Sequence, residues 1–308
     1  MKKIVLGVSS LAALTVLTAC NARQAPLNRA VNPALNAQRA ATQFGRFSAG
    51  AEAEGHSRAF ARKLANPDTY KFAFEAGASS VCGATDDLQD VEDYDGKGGP
   101  SKALAAKASP SVGALAMGPA GPNSRKFCSG TLISENLFLT ASHCVDGNIT
   151  KNFAVFNYQT VAGSNGKTLR EQTHVAIKGI VEDGGYRQGG LDYAILELEG
   201  TPGKTFGFKK LNASVLKPKD VVFDVQHPRG WPKKVHGGFV DGTRGTKYVT
   251  YVEMDTHPGS SGSGVLNGKG ELVAVHTNGG CRSTGGANAG VPLSNIVKNS
   301  KVLKALMN

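Results

Sequence analysis

From Val112 onward the chain is written in short apolar runs separated by turns. The runs are Gly130-Thr131-Leu132-Ile133, Leu137 to Thr140, Phe153 to Tyr158, Tyr193 to Leu198, Val221 to Val225, Tyr248 to Met254, Gly264 to Leu266 and Leu272 to His276. Runs of this length and spacing read as strands of an all-β barrel or sandwich. With 39 Gly in 308 residues, turns and strands are favoured over a helical bundle. Thr201-Pro202-Gly203 divides the β region into two halves. Ser294 to Met307 departs from the pattern: Ile296, Val297, Leu303 and Leu306 predict a C-terminal helix.

The N-terminus has a different character. Lys2 and Lys3 precede an apolar run of 14 residues, Ile4 to Leu17. That run is too short for a spanning helix and fits the core of an export signal over residues 1–19. Its end, Leu17-Thr18-Ala19-Cys20, resembles a bacterial lipobox, with cleavage before Cys20 and a lipid on its thiol. Residues 20–80 read as a linker or pro-segment, with short helical pieces at Ala59 to Leu64 and Tyr70 to Ala76. Asp86-Asp87 and Asp90 to Asp95 form an acidic patch that ends at a break over Gly96 to Pro100.

Export bears on the cysteines. With Cys20 lipidated, Cys82, Cys128, Cys144 and Cys281 remain, enough for two disulfides in an oxidising compartment. The sequence has no CxxC pair and no HExxH, so no zinc site is expected. The net charge of +11 lies in no dense Lys/Arg block and beside no RNA-binding aromatic motif, so nucleic acid is not an expected partner.

Three segments carry chemistry. Leu139-Thr140-Ala141-Ser142-His143-Cys144 supplies a histidine, Leu191-Asp192-Tyr193-Ala194-Ile195-Leu196 an aspartate, and Thr256-His257-Pro258-Gly259-Ser260-Ser261-Gly262-Ser263 a serine. A serine hydroxyl is a poor nucleophile at neutral pH and needs a base, which in turn needs a group that fixes its tautomer. His143 suits the base. Asp192 opens a strand that reads as buried, where a carboxylate is paired. Asp183, the rival acid, sits in the solvated turn Glu182-Asp183-Gly184-Gly185. The N–H groups of Gly259 and Ser261 are placed to receive an oxyanion. His56, His174, His227, His236 and His257 lack a metal-ligand partner at helical spacing and are assigned structural or exposed roles.

Together these segments resemble the chymotrypsin-fold serine proteases, and most closely the bacterial branch of glutamyl endopeptidases and exfoliative toxins. Thr140-Ala141-Ser142-His143-Cys144, Asp192-Tyr193-Ala194-Ile195-Leu196 and Gly259-Ser260-Ser261-Gly262-Ser263 match the family's three motifs, in the family's order. His143 to Asp192 is 49 positions and Asp192 to Ser261 is 69, a spacing that suits a compact bacterial enzyme. The resemblance covers about Val81 to the C-terminus. It implies two six-stranded antiparallel β-barrels with a C-terminal helix, the barrels spanning about 81–200 and 201–308. It also implies a serine endopeptidase acting on polypeptide as a monomer, with no metal or organic cofactor. It pairs Cys128 with Cys144 beside the histidine, which leaves Cys82 and Cys281 as a second pair.

Specificity follows from the same resemblance. In glutamyl endopeptidases a hydroxyl residue five before the nucleophile and a histidine on the strand after it bind the substrate carboxylate. Here those positions are Thr256 and His276. Asp255 competes, because trypsin-like enzymes keep the Asp that selects Arg and Lys six before the nucleophile. Val81-Cys82-Gly83-Ala84-Thr85-Asp86-Asp87 resembles the start of mature glutamyl enzymes, which implies processing between Ser80 and Val81. Pro258 before Gly259 is shared with the exfoliative toxins, where the oxyanion peptide can rest turned away. The rival from another class is a non-catalytic surface binding module on a protease fold.

Overall fold

Short strands are stable only when both edges are paired, and this chain pairs them by closing its sheet twice. The computed structural model describes residues 80–145 and 147–308. The export signal, Cys20 and the helical pieces at 59–64 and 70–76 lie outside the described residues. A two-residue strand, β1 (Gln89–Asp90), comes first. The first barrel follows: β2 (Val112–Met117), β3 (Arg125–Leu132), β4 (Leu137–Thr140), β5 (Phe153–Phe156), β6 (Thr173–Asp183) and β7 (Ala194–Leu198). Its strands run β2-β3-β4-β7-β6-β5, closed by β2 on β5.

The second barrel consists of β8 (Val221–Gln226), β9 (Lys234–Arg244), β10 (Tyr248–Val252), β11 (Gly264–Asn267), β12 (Leu272–Asn278) and β13 (Asn288–Pro292). These run β9-β10-β13-β12-β11-β8, closed by β8 on β9, and β1 adds to the outside of β9. All pairings are antiparallel. The choice between barrel and sandwich left open by the strand pattern thus falls to two six-stranded barrels. Strands β2, β6, β9 and β13 fall outside the apolar runs read from the sequence, and for β6 the reason is physical. In β6 the register shifts at Ile177/Gly179 and Ile180/Glu182, and Ile180 and Val181 face outward, so alternation is lost.

The first barrel is filled by Leu115, Leu132, Phe138, Phe156, Leu196 and Leu198. Phe138 and Phe156 meet edge to face at 5.9 Å. Gly130 makes room for that ring, since a Cβ there would lie 2.2 Å from it. The second barrel holds Val222, Val249, Tyr251, Met254 and Val265. Between the barrels, Leu139 and Ile195 of the first join Phe223, Val275 and Val291 of the second in one cluster.

Among the described residues, four short α-helices decorate this frame: α1 (Lys102–Ala108), α2 (Pro202–Phe206), α3 (Leu293–Asn299) and α4 (Lys301–Met307). Helix α2 starts at the break between the two halves, and Phe206 stacks on Phe156 at 4.6 Å. The single C-terminal helix expected over Ser294 to Met307 is a correction: Ser300 is extended (φ −73°, ψ 121°) and divides it into α3 and α4. Its hydroxyl accepts from Leu303 N at 2.9 Å, so a side chain that caps one helix ends the other. Both disulfides, Cys128–Cys144 and Cys82–Cys281, are formed. The second ties the segment from Ser80 onto the second barrel. Among the described residues, no helix is long and apolar enough to cross a membrane.

Candidate active site

His143 lies in a single helical turn, Ser142–Cys144, directly after β4. The Cys128–Cys144 bond pins that turn to β3. Asp192, fully buried, precedes β7, which pairs with β4. Neighbouring strands therefore bring together two residues 49 apart in sequence. Asp192 Oδ1 accepts from the His143 backbone N at 3.0 Å and Oδ2 faces Nδ1 at 2.7 Å. A carboxylate only accepts, so Nδ1 carries the proton and Nε2 keeps its lone pair. Asp183, the rival acid, instead accepts from Ser142 Oγ at 2.6 Å and from Gly185 N at 2.9 Å.

Ser261 belongs to the second barrel, in the loop between β10 and β11. Its carbonyl accepts from Ser129 N at 2.8 Å, and Gly262 N donates to His276 O at 2.8 Å. Gly262 has φ +87°, and a Cβ there would stand 2.2 Å from Thr140 Oγ1. Only glycine lets the loop approach the first barrel this closely. Ser261 thus sits against the histidine segment, its carbonyl 3.7 Å from Cys144 Sγ. Among the described residues no hydrogen bond joins its hydroxyl to His143; in a site without substrate such contacts are commonly long.

The two amides at 259 and 261 have no acceptor among the described residues. The Pro258 carbonyl accepts from Arg229 N, and the Gly259 carbonyl from Ser129 Oγ at 2.8 Å. In a trans peptide the N–H points opposite the preceding carbonyl. With Pro258 O held by Arg229, the Gly259 N–H faces the other way, unpaired.

The residues expected to set specificity have distinct surroundings. His276 is buried, and burial, with His143 nearby, pushes its pKa down to about 3. Tyr251 OH bonds to its Nδ1, and burial drives the Tyr251 pKa upward. The tyrosine proton has no other acceptor among the described residues, so Nδ1 accepts and Nε2 carries hydrogen. That Nε2 is buried without a partner. Thr256 Oγ1 accepts from Asn288 Nδ2 at 3.0 Å and from Ser80 N at 3.2 Å. Asp255, fully buried, accepts from Cys82 N at 2.7 Å on one oxygen and Asp87 N at 2.8 Å on the other. Burial raises its pKa despite those two bonds.

Tyr251, Asn288 and Arg229 were not among the residues singled out from the sequence. Tyr251 falls inside the apolar run Tyr248 to Met254, and Asn288 and Arg229 lie outside the three motifs. Among the described residues, Cys128, His143 and Cys144 bring metal-type ligand atoms together. The two sulfurs are bonded to each other, so neither is the thiolate that a metal needs.

Four fully buried groups shape how stability depends on pH between 5 and 8. His276 and His227 are both pushed to about 3, and Asp224 up to about 8, in each case chiefly by burial. Below the ordinary histidine value of 6.5 the unfolded chain binds protons that the folded histidines refuse, so stability falls as pH drops from there toward 3. Asp224 acts oppositely: folded, it keeps a proton the unfolded chain has lost, and stability falls as pH rises toward 8. Lys233, fully buried and pushed down to about 7 chiefly by burial, opposes Asp224 above pH 7, where the unfolded chain binds a proton that the folded lysine refuses. Together the four groups make stability climb by about 1.4 kcal/mol per pH unit up to pH 6.5 and stay nearly level between pH 7 and 8. Urea unfolding at pH 5, 6.5 and 8 checks this, and Asp224→Asn should steepen the climb to about 2.7 kcal/mol per pH unit.

The trypsin-like peptidase domain family matches residues 128–275. The secreted RxLR effector protein 73 of Plasmopara viticola is 31% identical over 173 residues, covering 51% of this chain and 42% of that protein. An extracellular metalloprotease of Bacillus subtilis is 28% identical over 199 residues, 56% of each chain. The matched stretch therefore spans about half the length of these relatives. A solved Glu endopeptidase superposes with a TM-score of 0.50 at 21% identity, covering 73% of this chain and all of its own, a likeness of fold. With His143, Asp192 and Ser261 lying inside the matched stretch, the chain carries a trypsin-like peptidase domain on the chymotrypsin-type double barrel.

Proposed function

We propose that the chain is an exported serine endopeptidase that cuts polypeptides after Glu. The observation that carries the enzymatic reading is the doubly bonded Asp192–His143 pair beside a serine loop with two unpaired amides. Ser261 Oγ attacks the scissile carbonyl while His143 Nε2 takes its proton. The oxyanion is held by the N–H groups of Gly259 and Ser261. His143 then protonates the leaving amine, and water releases the acyl group by the same route.

The Glu preference rests on the buried, unpartnered Nε2–H of His276 together with the Thr256 hydroxyl. Burial keeps His276 neutral at pH 7, so it meets a substrate carboxylate as a donor. Arg/Lys selection is disfavoured, because both oxygens of Asp255 already accept backbone N–H groups. Processing belongs to the same reading. Ser80 donates from N to Thr256 Oγ1, its carbonyl accepts from Thr256 N and Asn288 Nδ2, and its hydroxyl accepts from Gly280 N. These bonds favour keeping Ser80 with the mature domain, so a cut just before Ser80 competes with one between Ser80 and Val81. A lipid on Cys20 anchors the chain until that cut.

The test is a peptide library digested by the processed protein, with Ser261→Ala as control. Cuts after Glu, absent in the control, are expected. Cuts after Arg or Lys would overturn the pocket reading and leave the triad standing. Absence of cleavage, together with no labelling of Ser261 by a serine-directed phosphonate, would overturn the enzyme in favour of a binding module. N-terminal sequencing of the released protein locates the cut.

A further inference from the structure

The Gly259 N–H is available only while the Pro258 carbonyl stays with Arg229. Arg229 is an unusual anchor. It has φ +56°, a conformation that costs a side-chain-bearing residue energy. Two of its side-chain contacts bear on this loop. Its guanidinium lies over the Trp231 ring at 4.7 Å, and its terminal NH2 group reaches His257 Nδ1 at 3.4 Å. A guanidinium only donates, so Nδ1 accepts and the imidazole proton is on Nε2. That Nε2–H meets Asp86 Oδ2 at 2.7 Å. The bond and the nearby Arg229 charge hold the Asp86 carboxyl below its ordinary pKa. His257 itself precedes Pro258, and its backbone N donates to Ser260 Oγ at 3.0 Å. The contacts therefore run from Asp86 through an imidazole and a guanidinium to both sides of one peptide.

We propose that Asp86, acting through His257 and Arg229, is a positioning residue that keeps the Pro258–Gly259 peptide turned with its N–H free for the oxyanion. The proposal rests on the peptidase reading above and extends it to residues outside the three motifs. Asp86 is held in place from the other side, since Cys82 is bridged to Cys281 and the Cys82 and Asp87 amides sit on Asp255. Seating of the N-terminal segment is thereby coupled to the oxyanion site.

The experiment compares wild type with Asp86→Ala and Arg229→Ala in the processed protein. A peptide oxoester and its thionoester are the substrates, because sulfur accepts hydrogen bonds poorly and gains little from an oxyanion site. Loss of a whole oxyanion donor costs about 10²–10³ in kcat, so partial misplacement predicts about a ten-fold fall on the oxoester. KM should hold within about two-fold, and the oxo-to-thiono rate ratio should fall with kcat. Equal losses on both esters would mean a merely structural role and overturn the proposal. So would variants that match wild type on both esters. A wild-type protein that neither hydrolyses nor reacts with phosphonate overturns the peptidase reading, and the proposal with it.

Discussion

Asp192→Asn should lower kcat on a peptide ester by about 10⁴-fold while the protein stays folded. The amide is isosteric with the carboxylate, so the buried pocket before β7 is still filled. What changes is the proton. Asp192 Oδ1 accepts from the His143 backbone N, which leaves the other position opposite Nδ1. In the variant that position is filled by an NH2 group, which forces Nδ1 to accept and moves the ring proton to Nε2. A protonated Nε2 cannot take the Ser261 proton. Asp183→Asn is the contrast. That carboxylate bonds Ser142 Oγ and Gly185 N, one of them within the turn that carries His143 but neither on the ring. Losing charge there should cost less than about ten-fold. Single-turnover acylation rates for the two variants, with thermal melts as a fold check, separate the roles. Equal losses would mean that the acid had been misassigned.

Removing the Cys82–Cys281 bridge should have the largest effect on stability. It closes 199 positions of chain, and the loop-entropy account gives about 5 kcal/mol for a loop of that size. A Cys82→Ala/Cys281→Ala double variant should therefore melt about 10–20 °C lower. The Cys128–Cys144 bridge closes only 16 positions and should cost about 3 kcal/mol. Its removal should weigh more on activity, because it pins the turn that carries His143. The first bridge also holds the strap whose Cys82 and Asp87 amides satisfy Asp255. Without it, a fully buried carboxylate loses donors, which adds to the destabilisation. Denaturant melts of both double variants, read beside their kcat values, check this opposite ranking.

Much of this arrangement was legible before any coordinate. Strands β4, β8 and β12 fall on the apolar runs, because a strand facing a closed barrel shows its core residues in unbroken local order. The His143, Asp192 and Ser261 segments are equally local: each needs a few particular residues around one functional atom. The cysteine partners followed from the resemblance to a family rather than from spacing.

Other features depend on neighbours far away in the chain. In sequence Asp255 competes with Thr256 and His276 as a selector, until the strap from Cys82 to Asp87 is seen on its oxygens. Tyr251 is an ordinary strand residue until β10 places it beside His276, 25 positions away. The C-terminal apolar period reads as one helix, while capping by Ser300 makes two. The sequence by itself determined the strand-rich class, the two halves and the three side chains proposed to react, because those are written in runs of adjacent residues. Only the tertiary structure decided which polar groups are already satisfied and which are left to meet a substrate. Satisfaction is a property of pairs, and in this chain the deciding pairs join the N-terminal strap to a loop more than 160 residues further on.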